Sequence, residues 1–395
     1  MERIKLRINI GDICFLTAMS LTVAFPNPSV FKAIAIVVFF GYMLLLSLGY
    51  GINTKNTLQY VWAIGFFVFC QFSKRWSVMP DAADEVLNNV QWSLLLSVAI
   101  VNYIIVYKLD AFDIIKRMLF VALVFLVNVV LNGQYNGGRF TVTIAGYALN
   151  ENVFGLIAVG LACYMLYWLK KQKKKSTLLI ILLGVLALLA LISGSRKVLI
   201  SLVAYVIIFL MYEYPPADFI KQFVRPFVVV AIAGVAFLCV MNIEVLYNSI
   251  GVRIESLFDA MSGNLAVDSS AYTRIRMIEK AYEIFRENPW IGRGINTFAH
   301  TAGFGAYAHN NYMELLANMG LMGFLIYYVP LFMYLRKAFV SWKCGYAHSV
   351  LPLAIIGLTL VNDFGAVSYA SMVMQAFLAL GIGMCISVSS QKIKV

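Results

Sequence analysis

The stretch "KKQKKKSTLLIILLGVLALLALISGSRKVLISLVAYVIIFLMYE", residues 170–213, decides what kind of fold the chain can adopt. Five lysines in six residues lead into an apolar run, a short polar tip and a second apolar run. Each run has about the length a helix needs to cross hydrocarbon, where every backbone polar group must find its partner within the segment. A dense lysine cluster holds the loop that carries it in the cytoplasm. The pattern predicts a helical hairpin in a bilayer, with Arg196 at its outer tip.

The same grammar runs through the whole chain. Of 395 residues, 62% are hydrophobic and 13% charged, and the mean hydropathy is +0.82. A soluble domain carries roughly 25% charged residues, so a soluble fold is excluded. Apolar runs fall at about 10–25, 31–50, 58–72, 92–107, 115–131, 152–169, 177–193, 198–213, 227–242, 319–335, 349–362 and 370–388. Their length points to helices rather than to the alternating strands of a barrel. Ile10–Phe25 lacks a small-residue cleavage site and reads as a retained anchor. The fold expected is an all-α integral membrane protein with about twelve transmembrane helices. Residues 1–242 form spans one to nine, 243–318 one large extracytoplasmic loop, and 319–395 the last three spans. The six cysteines form no Cys-x-x-Cys pair and lie outside long polar loops, which argues against a disulfide framework or a thiolate metal site.

With both termini in the cytoplasm, 19 of the 31 basic residues fall inside and 12 outside. The inner set is 14 Lys and 5 Arg; the outer set is 4 Lys and 8 Arg. Topology needs only positive charge. A planar guanidinium is better suited to bidentate contact with phosphate. The outer arginines, among them Arg139, Arg196, Arg274, Arg276 and Arg293, therefore suggest an anionic, phosphorylated ligand met outside the cytoplasm. The competing explanation is pairing with outer carboxylates such as Glu279, Glu283 and Glu287.

In the outer loop, "AYTRIRMIEKAYEIFREN" (271–288) places Ile275, Ile278, Tyr282 and Phe285 on one stripe of an amphipathic helix, lying on the bilayer or on the bundle. Pro289 ends it. The Gly-Arg-Gly at 292–294 could let backbone approach a phosphate, although such a tripeptide is more often a plain turn. "AHNNYMELLANMGLMG" (308–323) follows. Asn311 and Glu314 have capping-box spacing, and Gly320 and Gly323 thin one face for a neighbouring helix. His309, one of three histidines, then stands just before a helix N-terminus at the outer surface. Free N–H groups there favour an anion, and a neutral imidazole could take a proton from an incoming hydroxyl. A histidine bonded to a loop carbonyl is the structural alternative.

These residues resemble the signature of the bacterial O-antigen ligase and O-antigen or capsular polysaccharide polymerase family. His309-Asn310, nine residues, Gly320, two residues and Gly323 fit its spacing. "TRIRMIEKAYEIFRENPWIGRGINTF" is similar to its helix and Pro-x-x-Gly-x-Gly segment, and "GSRKVLI" to its Arg-x-x-x-Leu hairpin with Ile200 in place of Leu. "GRFTVTIAGYALNEN" is a looser match, without a Pro-Asn pair.

The resemblance implies a polytopic, GT-C-like glycosyltransferase of the cytoplasmic membrane with an extracytoplasmic active site. It would transfer a glycan from undecaprenyl pyrophosphate to an acceptor hydroxyl, on a growing glycan or on lipid A–core. No cofactor, metal or nucleic acid is implied, and inversion at the anomeric carbon is expected. Other polysaccharide assembly proteins are possible partners. Carried over, Arg196 would grip the donor pyrophosphate and His309 would activate the acceptor. Arg274, Arg276 and Arg293 would add phosphate contacts, with Arg139 a weaker candidate, and Asn310, Glu314, Gly320 and Gly323 would support the site. A transporter or flippase for lipid-linked glycans is the rival class, but it would place ionisable residues at mid-membrane, where these spans hold almost none.

Overall fold

The computed structural model describes residues 8–25, 30–49, 57–136, 139–144, 147–172, 176–212, 269–346 and 348–388, with isolated positions between 224 and 255. Much of the ninth expected span and of the first part of the outer loop lies outside the described residues, as does the side chain of Arg196.

The helices are α1 (Ile10–Ala24), α2 (Val30–Gly49), α3 (Thr57–Ser73), α4 (Pro80–Val106), α5 (Ala111–Asn132), α6 (Glu151–Lys171), α7 (Thr177–Ile192), α8 (Arg196–Tyr212), α9 (Ser269–Glu287), α10 (Thr297–Thr301), α11 (Asn311–Lys343), α12 (Val350–Asn362) and α13 (Met372–Val388). Every expected span except the ninth coincides with one of them. Among the described residues, five helices are long and apolar enough to cross a membrane: α2, α4, α5, α6 and α11. Several shorter apolar helices accompany them.

Two expectations need correction. First, α4 begins at Pro80, twelve residues before the expected span, so Asp81–Glu85 is helical. Pro80 at the helix start and Asp81 in the first turn suit a helix N-terminus. Second, the connection from α5 to α6 is a small antiparallel sheet. β1 (Gly133–Asn136) pairs with β2 (Arg139–Ile144), Gly133 opposite Val142, and β2 pairs with β3 (Tyr147–Ala148), Thr143 opposite Ala148. Alternation of Phe140, Val142 and Ile144 with Thr141 and Thr143 is the strand period, hidden here between two helical spans.

In hydrocarbon, helices associate by close packing rather than by expelling water, and small residues set the approach. Gly383 of α13 lies against α4: a Cβ there would stand 2.5 Å from the Ile104 side chain. Gly381 faces Ile355 and Ile356 of α12, and Gly160 of α6 faces the Phe377 ring. One buried ion pair ties the first helices together at the end of the bundle away from His309. Nε and Nη2 of Arg117 on α5 each reach Oδ1 of Asp12 on α1 at 2.6 Å, and Tyr103 Oη of α4 donates to the same oxygen. With both charges buried, removing one partner would leave the other uncompensated, at a cost of about 3–5 kcal/mol.

Candidate functional site

At the opposite end, the connections between helices gather over one cavity of about 480 Å³. Its wall includes Glu85 and Asn89 of α4, Asn150 and Asn152 at the start of α6, Lys197 at the start of α8 and Glu314 of α11. Asn296, His300, Tyr307 and the segment between α12 and α13 complete it. The volume falls in the range of small-molecule sites, about 300–1,000 Å³.

Beyond Glu314, α11 is broken. Gly320 adopts φ +62, ψ −167 inside the helix, a left-handed conformation that suits glycine. In an unbroken helix the N–H groups of Leu321 and Met322 would bond the carbonyls of Ala317 and Asn318. Here Leu321 N–H donates to Pro289 O at 2.8 Å and Met322 N–H to Trp290 O at 3.0 Å. The released carbonyls are taken by the same loop: Arg293 N–H bonds Ala317 O at 3.2 Å and Gly294 N–H bonds Asn318 O at 2.7 Å. The Pro-x-x-Gly-x-Gly segment is thus stitched into the helix, and Gly292 and Gly294 approach protein backbone rather than a phosphate. Gly320 likewise admits a loop and not another helix; Gly323 does face a helix, lying against Phe69 of α3.

The loop is also anchored to the start of α4. Ser77 Oγ donates to Ile295 O at 3.2 Å, Val78 N–H to Arg293 O at 3.3 Å and Asn296 Nδ2 to Ala82 O at 2.7 Å. Helix α9 packs on this platform through Met277, Ala281 and Ile284, which form a cluster with Phe298, Ala308 and Ala317. The expected stripe is not the face packed on the platform: Ile275 and Tyr282 are 46% and 53% exposed, which leaves that face open to the bilayer.

Asn310, not Asn311, caps α11, its side chain accepting from Met313 N–H at 3.0 Å. Asn311 is buried as the first helical residue, where Oδ1 accepts from Ser368 and Tyr369 N–H and Nδ2 donates to Tyr328 Oη. Glu314 does not close a capping box with Asn311. Its carboxylate accepts from Ala308 N–H at 2.6 Å and from Asn318 Nδ2 at 2.8 Å, while Asn318 Oδ1 accepts from Phe298 N–H at 2.8 Å. That chain holds the segment carrying His309.

His309 has φ +53, uncommon for a residue with a side chain and characteristic of functional sites. Its ring lies 4.4 Å from that of Tyr307. Its Nδ1 is buried and has no hydrogen-bond partner among the described residues. Burial, then the positive fields of Arg274 and Lys197, pull the imidazole down to about 4, so it is neutral at neutral pH. Three sequence-distant segments are thereby combined: α9 through Arg274, the tip of the α7–α8 hairpin through Lys197, and the start of α11 through His309. Lys197 Nζ is held by Gly365 O at 2.7 Å. The hairpin tip is fixed against α6, where Ser195 Oγ donates to Asn152 Oδ1 at 2.6 Å. A Cβ on Gly155 would strike Val198 and Ser193 at 2.5 and 2.6 Å.

The backbone of Arg196 opens α8 beside Lys197, on the same end of the bundle as His309. Arg274 joins that group. Each of the other expected phosphate ligands has a carboxylate partner: Arg293 pairs with Glu287, Arg276 with Glu279 at 3.4 Å on an exposed surface, and Arg139 with Glu151 at 3.7 Å. Lys197 and Tyr307 were missed from sequence. Lys197 adjoins Arg196, but a single lysine at a hairpin tip carries no local signal that separates a ligand from a topology charge.

A cation pair beside a neutral, unpaired imidazole can bind an anion and accept a proton from a hydroxyl held against it. Residues 181–328 match the family described as O-antigen ligase, a stretch running from α7 past the break in α11. The match supports assignment to the O-antigen ligase family, as the motifs at 192–200 and 270–323 imply. No curated protein matches the chain.

Proposed function

We propose, from the O-antigen ligase assignment, that the protein transfers a glycan from undecaprenyl pyrophosphate to an acceptor hydroxyl at the extracytoplasmic face of the cytoplasmic membrane. The observation that carries this reading is the buried, unpartnered Nδ1 of His309 in the field of Arg274 and Lys197. Arg274 and Lys197, with Arg196 at the α8 N-terminus, bind the pyrophosphate. A dianion at that position offsets the two cations and raises the basicity of His309 as the donor binds.

The acceptor hydroxyl is aimed from the cavity, whose asparagines and tyrosines supply the donors and acceptors a sugar requires. Its oxygen attacks the anomeric carbon from the face opposite the phosphate. The new carbon–oxygen bond forms, the bond to phosphate oxygen breaks, and the electron pair leaves on undecaprenyl pyrophosphate. The proton passes to His309. Because pyrophosphate is already a good leaving group, positioning and charge stabilisation supply most of the acceleration.

The test is to incubate purified protein with the lipid-linked repeat unit alone. Chain lengthening identifies a polymerase; product only after a separate acceptor is added identifies a ligase. His309→Ala should abolish either. Undiminished transfer by His309→Ala would remove the imidazole from the reaction.

A further inference from the structure

A second cavity, of about 470 Å³, lies at the far end of α11 from His309 and is lined by Met333, Arg336, Lys337, Val340, Ser341 and Tyr346, with Cys344 at its rim. It falls outside residues 181–328, and the proposed transfer does not use it. Two independent features describe what it would hold.

The first is depth. An α-helix rises 1.5 Å per residue, so Arg336 stands about 24 Å along the axis beyond the break at Gly320. The hydrocarbon of a bilayer is about 30 Å thick. With the His309 end at one surface, Arg336 and Lys337 fall at the opposite boundary, where lipid phosphates lie. Met333 and Val340 are 51% and 47% exposed and give the cavity an apolar wall on the side of the acyl chains.

The second is uncompensated charge. Neither Arg336 nor Lys337 pairs with a carboxylate among the described residues. Lys343 lies nearby over the Phe339 ring at 5.2 Å, adding a third positive charge to the same helix end. The hydroxyls of Ser341 and Tyr346 provide hydrogen-bonding capacity beside the two cations. Apolar wall, hydroxyls and paired cations at phosphate depth together match the headgroup and upper acyl chains of an anionic phospholipid.

We infer that this cavity is a binding site for an anionic phospholipid in the leaflet opposite the candidate active site, with Arg336 and Lys337 on its phosphate. The ligand is a lipid rather than free phosphate because the wall formed by Met333 and Val340 is useful only to a molecule with a tail.

The experiment uses the full-length protein in detergent micelles, with retained phosphatidylglycerol and phosphatidylcholine measured by native mass spectrometry and by displacement of a fluorescent phosphatidylglycerol. The intact chain should retain phosphatidylglycerol in preference to phosphatidylcholine. Arg336→Gln/Lys337→Gln should weaken phosphatidylglycerol binding roughly thirty-fold, at about fivefold per removed charge. Arg336→Lys/Lys337→Arg should restore most of it, and Met333→Ser should weaken it with both cations intact. Unfolding temperatures of all variants establish that they remain folded. Equal retention of the two lipids, or unchanged phosphatidylglycerol binding in the double Gln variant, would overturn the inference. So would displacement by millimolar inorganic phosphate with no effect of Met333→Ser, since that pattern identifies an anion site indifferent to the tail.

Discussion

The backbones of Gly292 and Gly320 meet so closely that neither position has room for a side chain. A Cβ on Gly292 would lie 2.4 Å from the carbonyl carbon of Asn318, and one on Gly320 would lie 2.4 Å from that of Trp290. Each residue is also left-handed, at φ +65 and φ +62. The two glycines of the loop and the helix are therefore one joint, and it supports the segment that carries His309.

Alanine at either position should destabilise the protein by more than the left-handed penalty of about 1–2 kcal/mol, because backbone must also move. Gly303 is the control. It has φ +83 but nothing within 4 Å of a built Cβ, so Gly303→Ala should show the conformational penalty alone. Unfolding temperatures of the purified variants compare the three. Equal shifts at Gly303 and Gly320 would mean that the interlock contributes nothing.

The acid limb of activity follows from the depressed basicity of His309. In the free enzyme the imidazole protonates only near pH 4, so kcat/KM should stay flat from neutrality down to about pH 5. Donor pyrophosphate raises that value, so the limb in kcat should lie at higher pH than the limb in kcat/KM. Arg274→Gln removes one of the causes and should move the kcat/KM limb upward. A pH profile that is identical with and without Arg274 would separate the two residues.

Stability should respond to acid over a wider window that opens at higher pH. A histidine whose folded value lies below the unfolded one, here about 4 against roughly 6.5, takes up its proton first in the unfolded chain. Its contribution to stability is therefore lost as the pH falls from about 6.5 to about 4. His309→Gln should flatten that dependence when unfolding temperature is measured against pH.

Glu314 should act through His309 rather than on substrate. Glu314→Ala releases Ala308 and Asn318 together and should lower kcat roughly 10²-fold, the cost of a small displacement of a catalytic group. KM should change little. Glu314→Gln retains one acceptor and should recover part of the rate. A large rise in KM would instead show that Glu314 contacts a ligand in the cavity.

How much of this was legible in the sequence depends on the range of the interaction. The helical hairpin at 177–212 and the other described apolar helices were visible because hydrocarbon imposes its demand on each segment separately. The His-Asn and paired-glycine spacing was legible too, since it lies in one short stretch around the start of α11. Local reading failed where a partner from elsewhere decided the outcome. Asn311 and Glu314 have capping-box spacing, yet Ser368 and Ala308 claim their side chains. The convergence of Arg274 with Lys197 joins segments almost eighty residues apart, and no periodicity encodes it.

The break in α11 also fixes an order of biogenesis. Leu321 and Met322 would enter hydrocarbon with bare amides if nothing met them, and the groups that do meet them belong to Pro289 and Trp290. Those residues leave the ribosome first. The nascent helix therefore reaches a lipid environment with its complement already made, and a chain in which residues 289–294 followed this helix would have to insert it without one.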